Sequence, residues 1–182
     1  GCKRIANVDI FKSSKPYTER LMKTVNEVVH LVIRDENDIV YIDKVEADNT
    51  IRMASTIGRR SPLYRTSVGK VILAYLPDKE IESVWENSKI EKMTEYTITD
   101  LEVFKGELKE VKEKGYAVDN EENELGVRCI GAPVFNHKGC IEGAISVSGP
   151  TIRVTSDRID EIANEVKKYA HLISDELGYR GN

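Results

Sequence analysis

Four carboxylates, Asp119, Glu121, Glu122 and Glu124, fall within the six residues that open the stretch DNEENELGVRC, which then turns into the small, apolar run IGAPVF. Clustered carboxylates can act as general acid and base or hold a divalent cation, but the calcium-loop spacing DxDxDG is missing. Taken alone, the cluster reads as a solvated loop. The other chemical signatures fail at single positions. A phosphate loop ending in VGK (Val68 to Lys70) would need glycine where Tyr64 stands and Ser or Thr where Val71 stands. A nucleophile elbow at ISVSG would need glycine two residues before a serine, where Ala144 and Ser146 stand. His30, His137 and His171 show no metal-ligand spacing and read as structural or solvent-facing. The doublet Arg59 and Arg60 reads as a solvated pair, with capture of an anionic ligand as the functional alternative, because the guanidinium fork matches a carboxylate.

Composition narrows the classes these residues can serve. With 182 residues, 40% hydrophobic and 32% charged, the chain is long enough for one domain with its own core. A net charge of −4 gives no reason for direct binding to a phosphate backbone. Cys2, Cys129 and Cys140 form no CxxC pair, which predicts a reduced, cytoplasmic protein. No apolar run has the length of a membrane span. The expectation is a domain without cofactor or metal.

The elements follow from periodicity and breakers. Ser13 or Ser14 caps a short helix with Pro16 in its first turn, and EVVHLVIR and IVYIDKVEA form a hairpin around DEND. TIRMASTI is expected as a third strand. Val68, Val71, Ile72 and Tyr75 recur at helical spacing until Pro77 stops the run. Thr99 and Glu102 have the form of a capping box for a helix that Gly115 closes. YAVDN, VRCIGAPVF and CIEGAISVSG are three further strands, the last two joined by NHKG. A long terminal helix is capped by Thr155 or Ser156 and carries Ile159, Ile162, Val166, Ile173 and Leu177 as a stripe. Three strands, helices and three strands, flanked by helices, do not alternate as a parallel α/β fold does. They predict an α+β domain with one antiparallel sheet.

The hairpin at NHKG is the informative element. A two- or four-residue loop there would set Cys129 opposite Ser146 and Val127 opposite Ser148. Period two then puts Val127, Cys129, Ala144, Ser146 and Ser148 on one face, and Ile130, Val134, Ile145 and Val147 on the other. A face of Cys, Ala and Ser leaves room for the floor of a cavity for a small polar ligand. A nucleophilic role for Cys129 would need a base beside it, and the facing residue is Ser146.

SPLYRTSVGKVILAYL, KGYAVDNEENELGVRCIGAPVFNHKGCIEGAISVSGP and the helix beginning TSDRI resemble, in order and spacing, the C-terminal effector-binding domain of IclR-family bacterial transcription regulators. HLVIRDENDIVYIDKVEADNTIRM fits the same pattern, so the resemblance covers essentially the whole chain. It implies a GAF-like or profilin-like domain, with a curved antiparallel sheet of about six strands, helices packed on it and a long C-terminal helix. It also implies that residues 1–182 form an effector-binding and oligomerisation domain whose winged helix-turn-helix partner is absent from this chain. The family's ligand positions fall on Met53, Ser67, Val68, Asp119, Val127, Cys129, Ser146 and Ser148. The amides near Ser67 would receive a carboxylate, and Asp119 would accept from a ligand hydroxyl. IGRRSPLY looks closest to members that regulate sugar-acid breakdown, giving Arg59 or Arg60 an anion to contact. The implied function is a non-enzymatic sensor of a keto acid or sugar acid that acts as a homodimer or homotetramer and reaches DNA only through the missing domain. The rival readings are an oligomerisation module without ligand, and an enzyme using Cys129 or the carboxylates.

Overall fold

In the computed structural model, which describes residues 7–49 and 53–181, helix α1 (Asn7–Val25) is longer than its sequence predicts. Pro16 lies inside it rather than in its first turn, and Ser14 is a buried interior residue rather than a cap. An interior proline withholds one amide from the helix ladder. Burial of Ile10 and Leu21 in the core offsets that loss, because both side chains are removed from water completely.

Strands β1 (Val28–Asp35) and β2 (Asp38–Val45) form the expected hairpin, with Asp35 paired to Asp38. The expected strand TIRMASTI is not formed where it can be described. Residues 50–52 lie outside the described residues, and 53–57 are irregular. Lys44 Nζ donates to the carbonyls of Met53 and Ser55 at 2.8 and 2.7 Å, so an ammonium satisfies groups that a ladder would otherwise pair. The third strand is instead β3 (Arg60–Pro62), paired with β2.

A 3-10 turn at Leu63–Arg65 leads into α2 (Ser67–Ala74), and α3 (Asp78–Glu86) follows Pro77. The sequence reading leaves α3 unassigned; its only buried residues are Ile81 and Val84, too sparse a stripe to stand out. Helix α4 (Leu101–Lys114) is capped by Asp100, whose side chain accepts from Val103 N, and not by Thr99. Gly115 ends it in the left-handed region at φ 81°. Then come β4 (Ala117–Asn120), β5 (Val127–Phe135), β6 (Ile141–Pro150) and α5 (Ile159–Glu176). Neither Thr155 nor Ser156 caps α5 through its side chain; a 3-10 turn, Ser156–Arg158, delivers the chain into it.

The six strands form one antiparallel sheet in the order β3-β2-β1-β6-β5-β4. One face packs Val29, Leu31, Ile130, Ile145 and Val147 against α1 and α5. The other packs Val32, Ile39, Ala117 and Ala144 under α2, α3 and α4. The expected α+β class and curved sheet are therefore present.

The β5–β6 register departs from expectation. Cys129 faces Ser148, and Ser146 faces Gly131. Asn136 N donates to Cys140 O across a three-residue turn that contains Gly139 at φ 75°, which moves the pairing one place. An irregularity between Val134 and Phe135 moves it once more. Two single shifts return each side chain to its own face, so the face assignment survives the wrong pairing. Cys129 is a free thiol, as expected, whereas Cys140 is disulfide-bonded, which corrects the expectation of a fully reduced chain, because cysteine spacing does not fix pairing; Cys2 lies outside the described residues.

Candidate functional site

The second face of the sheet does not fill completely. Between β1, β5, β6 and the start of α2 lies a cavity of about 630 Å³. Its floor is the alternating set Val127, Cys129, Ser146 and Ser148 that period two selects, and Asp119 stands beside it on β4. Ser67, Val68 and Met53 line it as well, so the eight ligand positions carried over from the family resemblance face one space. Arg59 and Arg60 lie on its rim, and Met93 and Leu125 add an exposed apolar edge.

Helix α2 enters the site by its amide end. Thr66 caps it, its Oγ1 accepting from Gly69 N at 3.0 Å, and the first intrahelical acceptor is Thr66 O, reached from Lys70 N. The Ser67 and Val68 amides precede that bond and have no carbonyl within the helix to accept them. Gly131 on β5 allows the close approach: a Cβ there would stand 3.1 Å from Ser67 C, Ser67 Oγ and Val68 N. Ser67 and Ser146 are 2% and 3% exposed, and neither hydroxyl has a hydrogen-bond partner among the described residues.

The acidic run is only in part a solvated loop: Glu124 is exposed, whereas Asp119 and Glu122 are not. Asp119 is buried, and its Oδ1 accepts from the amides of Glu122 and Asn123 at 2.8 and 3.3 Å. Glu122 is also buried. Its Oε1 lies 2.7 Å from Lys70 Nζ as a close ion pair without hydrogen-bond alignment, while Oε2 accepts from Asn120 N. Thr94 and Thr97 donate to the carbonyls of Glu121 and Glu122, which fixes the loop from outside. Glu121 adopts φ 60° and accepts from Gly126 N; Glu124 reaches the cavity.

Lys70 organises this wall. It is fully buried, donates to Glu107 and to Val118 O, and pairs with Glu122. Burial alone would lower its pKa, but Glu122 and Glu107 outweigh that and raise it, so the ammonium stays charged. Asp119 has no such cation to itself. Burial first, then the charge of Glu122, pushes its carboxyl up to about 7 against the opposing amides and Lys70. Burial also pushes the Cys129 thiol up, with the nearby Asp119 charge adding to it, so the free thiol is not a poised thiolate.

Sequence reasoning missed several contributors, His30, Tyr41, Ser55 and Arg65 among them. His30, read as structural or solvent-facing, lines the cavity with Nε2 2.5 Å from Ser55 Oγ and Nδ1 3.4 Å from Ser148 Oγ. Burial, then Lys44, lowers its pKa to about 3, so it is neutral near neutral pH. Tyr41 packs edge-on against it at 4.9 Å, and Ser55 and Arg65 complete the wall. The alternation of β1 puts His30 on the face of Val28 and Val32, but only the pairing of His30 with Ser146 turns that face into a cavity wall.

Residues 2–175 match the family described as bacterial transcriptional regulator IclR, C-terminal. The chain is 39% identical over 179 residues to the HTH-type transcriptional regulator KdgR of Escherichia coli, covering 98% of this chain and 68% of that protein. It is 38% identical over 172 residues to the HTH-type transcriptional regulator KipR of Bacillus subtilis, covering 94% and 69%. Among solved structures it superposes on the Thermotoga maritima IclR with a TM-score of 0.89 at 40% identity, covering 93% of this chain and 69% of that one. It superposes on the C-terminal domain of E. coli KdgR with a TM-score of 0.85 at 37% identity, covering 94% and 99%. The chain belongs to the IclR family and corresponds to the C-terminal domain of its bacterial transcriptional regulators.

Proposed function

We propose that this domain senses a small carboxylate, a keto acid or sugar acid, and that occupancy of the cavity alters DNA binding by a separate N-terminal domain. One observation carries the reading. The amide end of α2, the unpartnered hydroxyls of Ser67 and Ser146, and Asp119 converge on a single cavity of about 630 Å³. Amides suit the carboxylate. Asp119 suits a ligand hydroxyl or hydrated carbonyl, accepting from it when ionised. A regulator that reaches bacterial DNA works in the cytoplasm.

For occupancy to matter, the ligand must bind the two functional states with different affinity. The relatives above are named regulators rather than enzymes, and the raised thiol pKa of Cys129 argues against a nucleophile. Asp119 faces Cys129 across β4 and β5, but burial and then the Asp119 charge push the thiol pKa up rather than activating it, and His30 is committed to Ser55 and Ser148. The experiment is stabilisation of the folded chain by small acids, lost in a Ser146→Leu variant that fills the floor. Stabilisation that persists unchanged in this variant would favour an oligomerisation module without this site.

A further inference from the structure

Three arginines line the cavity, and the structure separates them by what compensates each charge. Arg60 is clamped by carboxylates: Nη1 donates to Asp35 at 2.5 Å and Nε to Asp38 at 3.1 Å. Arg65 has only neutral partners, donating Nε to Asn123 Oδ1 at 2.6 Å and Nη1 to the Tyr64 hydroxyl at 3.3 Å. Arg59 is anchored by its backbone, with its N–H on Thr56 O and its carbonyl accepting from Tyr41 N. Its guanidinium makes no hydrogen bond or ion pair among the described residues. Two cations without a counter-carboxylate therefore face the same space as the amide end of α2.

We propose that Arg65 and Arg59 form a second anion subsite at the mouth of the cavity, so that the effector is doubly anionic: a carboxylate at the α2 amides and a second carboxylate or a phosphate at the arginines. This rests on the sensing function proposed above and names its ligand class. Arg65 is the better-oriented member. Asn123, which receives its Nε–H, also donates its own amide to Asp119, so the guanidinium is tied to the wall that meets the ligand. A planar guanidinium with free N–H groups grips either anion in bidentate fashion. The cavity volume also lies in the range that encloses larger ligands than a two- or three-carbon acid.

Calorimetric titration of the 182-residue chain with three probes of one carbon skeleton separates the possibilities. Gluconate carries one carboxylate, glucarate two, and 6-phosphogluconate a carboxylate and a phosphate. Glucarate or 6-phosphogluconate should bind at least about tenfold more tightly than gluconate, and whichever does so identifies the second group. Arg65→Gln combined with Arg59→Met should abolish the preference, while Arg65→Lys, which keeps the charge, should retain part of it. Circular dichroism checks that each variant is folded. Gluconate binding as tightly as both other probes, or a preference that survives loss of both arginines, would overturn the mouth subsite and leave the sensing cavity standing. Failure of the folded chain to bind any acid would overturn both.

Discussion

Asp119 is a buried carboxyl of an acidic run in which Glu122 pairs with the cation Lys70 and Glu124 stays exposed. Its place at the end of a strand was legible, and so was the Cys129, Ser146 and Ser148 face, because alternation along a strand survives errors in pairing. His30 and Arg65 were not legible, since each becomes a wall residue only through a contact distant in sequence. Asp119 also carries a pH signature. Its pKa of about 7 in the fold lies above the ordinary 3.8, so between those values the folded chain holds a proton that the unfolded chain has released. This contribution to stability therefore falls as pH rises across that interval and levels off above it. An Asp119→Asn variant, which keeps an acceptor for the Glu122 and Asn123 amides, should match the parent near about pH 3.5 and exceed it in stability near about pH 8. Urea unfolding at both pH values checks this. A difference that is the same at each would mean that Asp119 is not the group responsible.

At the scale of elements, sequence patterns located most helices and strands but not what fastens them. Asp100 rather than Thr99 caps α4, and β3 follows the expected third strand, because neighbouring groups compete for the same backbone bonds. The register of β5 and β6 depends on Gly139 and on one irregular pair, which no periodicity reveals. Lys70 joins α2 to α4 through Glu107, to β4 through Val118 O, and to the acidic loop through Glu122. Replacing it with Met would strand the buried Glu122 without a cation, and removing one member of a buried pair costs about 3–5 kcal/mol. Lys70→Met should lower the unfolding free energy in that range in urea titrations, with Glu122→Gln in the same chain recovering part of the loss. A Lys70→Met loss under about 1 kcal/mol would show that the network does not hold the wall.

For the molecule as a whole, the three-layer fold makes one side of the sheet a core and leaves the other side partly open for a ligand. We propose a homo-oligomer, as the family resemblance implies. Sedimentation equilibrium should find a dimer or tetramer, and a monomer at tens of micromolar would contradict that. Binding of small organic acids in the cavity is read out by thermal unfolding with and without them. At a ligand concentration of about 100 times Kd, binding to the folded state adds about 2.7 kcal/mol. For a chain of this length that raises Tm by roughly 5–10 °C. At least one keto acid or sugar acid should produce such a rise, its uncharged amide should produce none, and Ser146→Leu should abolish it. A folded parent chain whose Tm does not move with any acid, or moves equally in Ser146→Leu, would contradict it.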